Sequence, residues 1–501
     1  MKTAFFRRAA LVTAAACLTL ASAVPAATPG SGLPARPEDI NFKPLSFTPP
    51  KAAQYRRTLS SGVPVYLIPS KEFPLVNITL GFRPAGHLED KTGLAAMTNA
   101  MIRRGGTTSI SAQELDESFD FLGAQASSTN LNALKSNLDE AMRLFFDMVR
   151  NPGFQEDKVR IYKDELVEQM KQRNDDPDSI LALTGQRLLW GDKHFEGRVA
   201  TQADIEGITI DDLRRFHARV YHPGNLIIGV TGDFEEAEML SRLDAALSGW
   251  NKGEPVPDPT DTDYTPTPGL YYVEKDTPQG KIWIAQRGLK RDHPDIIAVE
   301  VLNDILGGGG FTSRLMKRIR SDEGLTYGVG SAFQNRVYYP GLFRVNTFSK
   351  NRTVALTTKM VMEEIEKIRS SPVSQEELDV AKKGFIETFP RRFESKAGTV
   401  NTFIDDEWTR RPADWWDTYR DRMNSVTVSD VQRVAQEHLS PDKLIMLVVG
   451  KWSEIKDGDP TEQRDSHKAS MLQFFGGAEP RKLPLLDPLT QQPLPEEQAK
   501  D

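Results

Sequence analysis

Residues 208–234 read ITIDDLRRFHARVYHPGNLIIGVTGDF, and residues 426–452 read VTVSDVQRVAQEHLSPDKLIMLVVGKW. The two segments align without a gap, and identical or similar residues recur along their whole length. The clearest matches are Thr209 with Thr427, Asp212 with Asp430, Pro223 with Pro441, Leu226-Ile227 with Leu444-Ile445, and Gly232 with Gly450. Each copy predicts a capped amphipathic helix, a proline turn and a buried strand of continuous apolar residues.

A weaker second match supports the repeat. Asn99-Ala100-Met101-Ile102, followed by Gly105-Gly106, matches Asn303-Asp304-Ile305-Leu306, followed by Gly309-Gly310. Because both matches keep the same order in the chain, we predict two copies of one α+β domain. Each copy is expected to be a mostly antiparallel sheet with helices packed on one face. Strands are expected at 63–68, 76–82, 281–286 and 341–347, and long helices at 130–150, 154–173, 353–370 and 374–395.

The domain limits follow from composition. Residues 253–269 contain five prolines and almost no apolar periodicity, which is typical of a linker. The predicted organisation is a signal peptide at 1–26, an N-terminal extension at 27–50, a first domain at 51–252, the linker at 253–269, a second domain at 270–455 and a Pro-rich tail at 456–501. We expect the tail to be extended or disordered and solvated. The alternative is that its Leu-Pro units and Phe474-Phe475 clasp a partner.

The N-terminus predicts export. Arg7-Arg8 precede an apolar run from Ala9 to Ala23, with small residues at the cleavage region, which is typical of a secretory signal peptide. The only cysteine, Cys17, lies inside this leader, so the mature chain has no thiol or disulfide. We expect a periplasmic protein without a membrane span, and a lipid anchor at Cys17 is a second possibility.

Charge excludes one class of partner. The formal net charge is −7, and the chain has no basic block. Nucleic-acid binding is therefore not expected, because phosphate recognition usually needs clustered basic residues.

Residues 93–107, GLAAMTNAMIRRGGT, resemble the zinc-binding helix of the insulinase/pitrilysin-like (inverzincin) peptidases. In that family the stretch reads roughly G-L-A-H-F-L-E-H-M-L-F-K-G-T, where two His bind zinc and the Glu activates water. The His positions fall on Ala96 and Ala100, and the Glu position falls on Asn99. The resemblance places the remaining glutamate ligand at Gln169 and its companion at Tyr162.

These replacements remove the chemistry. A methyl group has no lone pair for a metal, and an amide does not take a proton from water near neutral pH. Glu168 lies one residue from the ligand position, but one carboxylate without two imidazoles does not make a recognisable zinc site. No other pair of the seven histidines rebuilds the motif, and His217 and His222 are predicted to be structural. We expect no metal or cofactor in this chain.

A second segment keeps its functional residues. Residues 307–329 read GGGGFTSRLMKRIRSDEGLTYGV, which predicts a glycine loop, a helix that begins after Thr312 or Ser313 and ends at Gly324, and a strand from Leu325. The segment resembles the family's G-G-G-x-S-R-L-F-x-x-L-R-E-x-x-G-L-A-Y-S-V. The resemblance implies that Arg320 and Tyr327 reach the zinc site and hydrogen-bond the substrate and the tetrahedral intermediate. The alternative is that Arg320 pairs with a surface acid and Tyr327 packs in the core.

The glycine run Gly307, Gly308, Gly309 and Gly310 is not a phosphate loop, because no Gly-Lys-Ser/Thr follows it. We expect a flexible loop that allows close backbone approach to the other half or to substrate. The resemblance covers about residues 50 to 455 and departs again at Gly123–Ser127, where active members usually carry Asn-Ala on the substrate edge strand.

The resemblance implies three functional hypotheses. The chain resembles the non-catalytic subunit of mitochondrial-processing-peptidase-type heterodimers, which predicts a zinc-free subunit that pairs with a separate H-x-x-E-H chain carrying the zinc. Such a pair would enclose unfolded peptides, with Arg320 and Tyr327 supplied by this chain. The second hypothesis is a non-catalytic peptide-binding or structural assembly protein. The third is an autonomous peptidase with an unorthodox metal site, for which the ligand inventory is poor.

Overall fold

Two six-stranded sheets form the framework of residues 46–495, the part of the chain that this computed structural model describes. The spatial order of the first sheet is β1-β2-β6-β3-β5-β4. Its strands are β1 (Arg56–Thr58), β2 (Pro64–Pro69), β3 (Leu75–Phe82), β4 (Gln125–Ala126), β5 (Asn130–Leu134) and β6 (Leu226–Gly232). Only the β2–β6 pair is parallel, so this sheet is mostly antiparallel as predicted.

The second sheet repeats this arrangement, with the order β12-β7-β11-β8-β10-β9. Its strands are β7 (Gly269–Glu274), β8 (Gln279–Arg287), β9 (Val329–Gln334), β10 (Leu342–Lys350), β11 (Ile445–Gly450) and β12 (Arg481–Leu483). Five strands of each sheet correspond in position and direction. The sixth differs, because β1 runs antiparallel to β2 whereas β12 runs parallel to β7.

The helices occur in the same order in both halves. In the first half they are α1 (Ala52–Tyr55), α2 (Leu94–Arg104), α3 (Ala112–Phe121), α4 (Leu138–Arg150), α5 (Glu156–Lys171), α6 (Pro177–Trp190), α7 (Gln202–Gly207), α8 (Ile210–Val220) and α9 (Glu236–Leu247). In the second half they are α10 (Ile296–Asn303), α11 (Val354–Ser370), α12 (Gln375–Thr388), α13 (Lys396–Trp408), α14 (Trp415–Ser425), α15 (Val428–His438) and α16 (Trp452–Ile455).

The repeated segment folds identically in its two copies. Thr209 caps α8 in a capping box with Asp212, and Thr427 caps α15 in a capping box with Asp430. A single turn that begins with proline follows each helix and leads into β6 or β11. The predicted fold class, two repeated α+β domains, is therefore confirmed. The residue limits assigned to the domains stay a prediction.

One helix of each half packs on the sheet of the other half. Val400, Phe403 and Ile404 of α13 pack on the first sheet, against Tyr66 and Ile227. In return, α6 packs on the second sheet, where Leu181 and Trp190 join a cluster with Trp283 and Leu447. The helices of a sheet's own half cover its other face. The central strands read as continuous apolar runs because both faces of each sheet are buried.

Several predicted elements differ from the structure. Residues 130–134 form strand β5, and the helix predicted at 130–150 begins only at Leu138. The helix predicted at 374–395 ends at Thr388, and a tighter turn at Phe389–Phe393 follows because Pro390 cannot continue an α-helix. Residues 254–268 of the linker contain no helix or strand, as predicted.

The prediction of a solvated tail is wrong for residues 456–495. Met471 is fully buried, Leu485 is almost fully buried, and β12 extends the second sheet. Phe474 and Phe475 pack against the core of the second half. The tail therefore packs on its own chain.

The tail also reaches the first half. Arg173 Nη1 donates to the Pro488 carbonyl at 3.0 Å, and Asn174 Nδ2 donates to the Leu486 carbonyl at 2.8 Å. Leu489 packs against the first core. This segment, residues 481–494, is called the strap below.

The signal peptide at 1–26, Cys17 and most of the extension at 27–50 lie outside the described residues. Within residues 46–495, no helix combines the length and apolar character needed to cross a membrane.

Candidate functional site

Helix α2 carries the positions at which the related peptidases bind zinc. It begins after Gly93, which has a positive φ of 98°. Met97 and Met101 face the core, whereas Ala96 and Asn99 are exposed. The helix is thus present with the expected orientation, but the side chains at the two His positions are the methyl groups of Ala96 and Ala100, which do not bind metal.

Asn99 is held in a neutral hydrogen-bond network. Its Oδ1 accepts from Ser128 Oγ at 2.8 Å and from the Tyr221 hydroxyl at 3.2 Å. Burial raises the pKa of Tyr221 to about 12, so this hydroxyl keeps its proton and stays a donor. The position of the general base therefore holds an amide that is fixed by two hydroxyls.

Helix α5 carries the positions predicted for the remaining ligand and its companion. Gln169 is exposed, and Tyr162 lies beneath Arg104, whose Cζ is 4.8 Å from the ring centroid. Glu168 forms a surface ion pair with Lys171 at 2.6 Å. Arg104 also donates twice to Glu165 at 2.8 Å, which ties α2 to α5. Helix α2 therefore carries methyl groups at the two His positions and an amide at the Glu position, and helix α5 carries an amide at the remaining ligand position.

His217 and His222 behave as the structural histidines that were predicted. His217 Nε2 lies 2.7 Å from the Val149 carbonyl, and His222 Nε2 lies 3.0 Å from the Arg219 carbonyl. Burial lowers the pKa of His217 to about 4, so its imidazole is neutral near pH 7.

Arg320 and Tyr327 are brought together on the surface of the second half. Arg320 Nη1 donates to the Tyr327 carbonyl at 2.6 Å, and its Cζ lies 4.8 Å from the Phe311 ring centroid. Phe311 is 68% exposed and Tyr327 is 79% exposed. The alternative that Tyr327 packs in the core is therefore wrong. Among the described residues, Arg320 has no carboxylate partner and the Tyr327 hydroxyl has no hydrogen-bond partner.

The helix that carries Arg320 has wider turns than an α-helix. It starts after Ser313 and winds with π-type geometry over Met316–Asp322, and Gly324, with φ at +63°, ends it. The Ser313 hydroxyl donates to the Gly310 carbonyl at 2.7 Å instead of capping the helix. The following strand, β9, begins at Val329 and not at the predicted Leu325. Tyr327 therefore lies in an irregular segment before the strand.

The glycine loop packs against its own half. A Cβ on Gly307 would lie 2.6 Å from the Ser331 nitrogen, and a Cβ on Gly308 would lie 2.5 Å from Asn303 Nδ2. At these two positions the close neighbours belong to the same half, and approach to the other half or to substrate stays a prediction. The glycines are required because the end of α10 and strand β9 leave no room for side chains.

The second half contains two carboxylates that sequence reasoning missed. The weaker repeat match places Glu300 and Asp304 at the positions of Ala96 and Ala100, and Asn303 at the position of Asn99. Asn303 Oδ1 accepts from Ser331 Oγ at 2.8 Å, which reproduces the Asn99–Ser128 pair. Asp304 already lies in that match, and extending the alignment by one helical turn toward the N-terminus would have found Glu300.

Both carboxyl groups are harder to ionise than usual. Burial raises the pKa of Glu300 to about 7, although Arg411, Arg392 and Arg422 oppose this shift. Burial also raises the pKa of Asp304 to about 6. Without imidazole ligands on the same helix face, the pair is not a zinc site of the peptidase kind.

Comparison with known proteins accounts for this combination of features. Residues 207–385 match a family profile described as the peptidase M16 inactive domain. A Helicobacter pylori protein named non-peptidase homolog YmxG is 27% identical over 409 residues, which cover 79% of this chain and 93% of that protein. A Bacillus subtilis relative named an uncharacterized zinc protease is 21% identical over 412 residues, which cover 78% of this chain and 97% of that protein.

Solved structures share the fold. A crystal structure of a peptidase M16 inactive domain from Pseudomonas fluorescens superposes with a TM-score of 0.72 at 26% identity, over 81% of this chain and 98% of that chain. A chain of complex III2 from Candida albicans superposes with a TM-score of 0.61 at 16% identity, over 80% of this chain and 96% of that chain. The resemblance to the insulinase/pitrilysin-like peptidases is confirmed, and the matches support a non-catalytic M16-type protein.

Proposed function

We propose that this chain is a subunit of an exported M16-type metallopeptidase that carries no catalytic zinc, and that it pairs with a separate chain carrying the H-x-x-E-H motif. The observation that carries the proposal is a contrast within one molecule. The zinc-ligand positions Ala96, Ala100 and Gln169 have lost their chemistry, whereas Arg320 and Tyr327 are intact, adjacent and exposed.

The geometry at Arg320 suits a donor site. Phe311 lies beside the guanidinium, and the Tyr327 carbonyl accepts from Nη1, so one face and one nitrogen of the group are fixed. The remaining N–H groups and the Tyr327 hydroxyl are available to a peptide carbonyl or an oxyanion. Such donors act in catalysis only where a water-excluding cavity surrounds them, which a partner subunit would supply.

The zinc would reside on the partner, where the ligands of the H-x-x-E-H motif hold it and it activates the attacking water. In this chain, Arg320 and Tyr327 would bind the carbonyl oxygen on which negative charge develops. The proposed substrates are unfolded peptides, and the proposed location is the periplasm, on the strength of the leader sequence.

A second candidate is a peptide-binding or assembly protein with no protease partner. The short edge strand β4 favours an assembly role over peptide binding, because two residues offer little backbone for a bound peptide in the first half. The name of the H. pylori relative, a non-peptidase homolog, points the same way. This candidate predicts no H-x-x-E-H chain in the native complex.

The first experiment captures the tagged mature protein from its native cells and measures the subunit composition together with zinc per complex. A stoichiometric H-x-x-E-H partner that carries zinc is the expected result. A homo-oligomer without such a partner would move the assignment to the second candidate.

The second experiment tests the residues in the reconstituted pair. Arg320→Ala should lower turnover by about 10² to 10³, the range for loss of one oxyanion donor, while the complex still assembles. Arg214→Ala serves as the matched control, since Arg214 is an exposed arginine that pairs only with the surface residue Asp211. Turnover that is the same in Arg320→Ala and in the unaltered pair would contradict the role.

A further inference from the structure

A cluster of two histidines and an aspartate lies in the second half, away from the degenerate zinc helix. His293 is in the loop that follows β8, and Asp295 immediately precedes α10. His438 is the last residue of α15, which packs against α10. One nitrogen or oxygen from each side chain lies within 4.8 Å of the others, and all three residues are partly buried.

The individual distances are short. His438 Nε2 lies 2.9 Å from Asp295 Oδ2, and His293 Nδ1 lies 3.9 Å from the same oxygen. The two imidazole rings are nearly perpendicular, with centroids 5.1 Å apart. The Asp295 N–H donates to His293 Nδ1 at 3.2 Å, so this nitrogen is unprotonated, and an ion bound there would replace this hydrogen bond.

We propose that His293, Asp295 and His438 form a binding site for a divalent transition metal ion, with zinc as the best match to the donor set. Two imidazoles and a carboxylate are typical zinc ligands, at about 2.0 to 2.2 Å from the ion. In a tetrahedral site, neighbouring ligand atoms are therefore roughly 3.3 Å apart. The two histidine nitrogens lie 2.9 and 3.9 Å from Asp295 Oδ2 and within 4.8 Å of each other, so the side chains would move together to complete the site.

The neighbouring charges leave room for the ion. Arg433 Nη2 donates to Asp295 Oδ1 at 2.7 Å, and Oδ2 is the oxygen that faces both histidines. Arg433 Nη1 also reaches Oδ2 at 3.2 Å and Glu437 at 2.9 Å, so metal binding would shift this nitrogen toward Glu437. Glu437 Oε2, which is 3.9 Å from His438 Nε2, accepts from Arg433 Nη1, so a water molecule is the expected fourth ligand.

The cluster can be reached from solvent. His438 and Glu437 line a surface cavity of about 460 Å³, together with Gln286 and Arg287. Of the three proposed ligands, His438 lines this cavity, so a hydrated ion can reach its imidazole from solvent. The site belongs to the second half alone, because the repeat places Lys91 and Val220 of the first half opposite Asp295 and His438.

The test uses the full mature chain without a polyhistidine tag, freed of metal by a chelator, and titrates it with zinc chloride in a calorimeter. One zinc per chain is expected, and His293→Ala combined with His438→Ala should weaken binding by about 100-fold or more, because loss of even an outer-shell partner costs 10- to 100-fold. His467→Ala is the matched control. His467 Nε2 lies 2.9 Å from Glu323, but among the described residues His467 belongs to no group of three metal-binding side chains.

Cobalt(II) gives a readout that needs no variant. The visible spectrum of cobalt bound to the unaltered chain should report a low-coordinate site with nitrogen ligands, and zinc should displace it. Absence of stoichiometric metal binding, or binding that His467→Ala weakens as much as the double variant, would overturn the proposal.

Discussion

At the scale of single residues, Ala96, Asn99 and Ala100 stand at the positions of the peptidase motif on an intact helix. The backbone of α2, its buried face and its tie to α5 through Arg104 all remain. Asn99 accepts from Ser128 and Tyr221, so the former base position now stabilises the contact between α2, the β4–β5 turn and α8. Asn99 therefore has a structural role in this contact.

Glu300 shows the opposite situation, since it keeps a carboxyl group in a place that penalises its charge. Its folded pKa of about 7 lies above the ordinary value of 4.5, so the folded state holds this proton more tightly than the unfolded state. The stabilising contribution is complete below about pH 4.5 and is lost as pH rises toward 7. Replacement of Glu300 by glutamine, its neutral isostere, removes this pH-dependent contribution to the free energy of unfolding.

Glu300→Gln should therefore gain stability relative to the unaltered chain as pH rises. Between pH 5 and pH 8 the difference in the free energy of unfolding should move in favour of the variant by up to about 3 kcal/mol. Urea unfolding at the two pH values measures this change. In the control Glu168→Gln, which removes an exposed carboxylate, the free energy should differ by no more than about 0.5 kcal/mol from the unaltered chain. A Glu300→Gln difference that is equal at both pH values would contradict the prediction.

At the scale of elements, the exchanged helices α6 and α13 depend on glycines in the sheets or helices that they touch. A Cβ on Gly229 of β6 would lie 2.0 Å from Val400 Cγ1, and a Cβ on Gly81 of β3 would lie 2.5 Å from Ile404 Cγ2. In the other half, a Cβ on Gly185 of α6 would lie 3.2 Å from the ring of Trp283. Bare backbone lets each helix approach the sheet of the other half.

Gly229→Ala should lower the free energy of unfolding by about 1 to 3 kcal/mol, because the added methyl group overpacks the α13 contact. Gly384→Ala is the matched control. Gly384 lies inside α12, and no atom lies within 4 Å of the place that an added methyl group would take, so alanine should stabilise the helix by about 0.5 to 1 kcal/mol. Denaturant unfolding of both variants measures the contrast, and equal effects would refute this account of the exchange.

Much of the element pattern was predictable because it is written in local sequence. The capping residues Thr209 and Thr427 fix where α8 and α15 begin, and the apolar runs after the prolines fix β6 and β11. The exchange of α6 and α13 was not predictable, since an amphipathic stretch does not say which sheet it covers. Strand β5 was missed because its residues flank a helix pattern and most of its pairing is with β3, which is distant in the chain.

The candidate site also combines residues that the sequence predicts with contacts that only the tertiary structure determines. The absence of zinc ligands at Ala96 and Ala100 and of the glutamate at Asn99 follows from the resemblance to the insulinase/pitrilysin-like motif. The proximity of Phe311 to Arg320 and the exposure of Tyr327 depend on a tertiary turn between the π-type helix and β9. The cluster of His293, Asp295 and His438 was invisible, because His438 is far from the other two in the chain and the three follow no motif.

At the scale of the whole molecule, the strap joins the two halves a second time, in addition to the linker. Strand β12 covers the edge of β7, and Leu485 lies in the cluster between α6 and the second sheet. Further along, Gln202 N donates to the Leu489 carbonyl at 2.8 Å in the first half. The segment therefore holds both halves by backbone bonds and by buried leucines.

Removal of residues 479–501 should lower the free energy of unfolding by about 3 to 5 kcal/mol, from the lost burial of leucine side chains. It should also speed hydrogen exchange at the amides of Tyr271–Val273, whose strand loses its neighbour. Exchange in Val65–Leu67 of β2 is the internal control, since β1 still covers that edge. Mass spectrometry of the exchanged chain tests both, and unchanged exchange in β7 would show that the strap contributes nothing there.

Because α6 and α13 each pack on the sheet of the other half, the order of synthesis also determines when each sheet is covered. One face of the first sheet is not covered until residues 396–408 have been synthesised. The helix that covers the second sheet is synthesised some 80 residues before the first strand of that sheet. Contacts of such long sequence separation form slowly, and an emerging chain exposes its apolar surface until they do. Neither half is thus a self-sufficient folding unit, and two fragments divided in the linker should become native only when mixed.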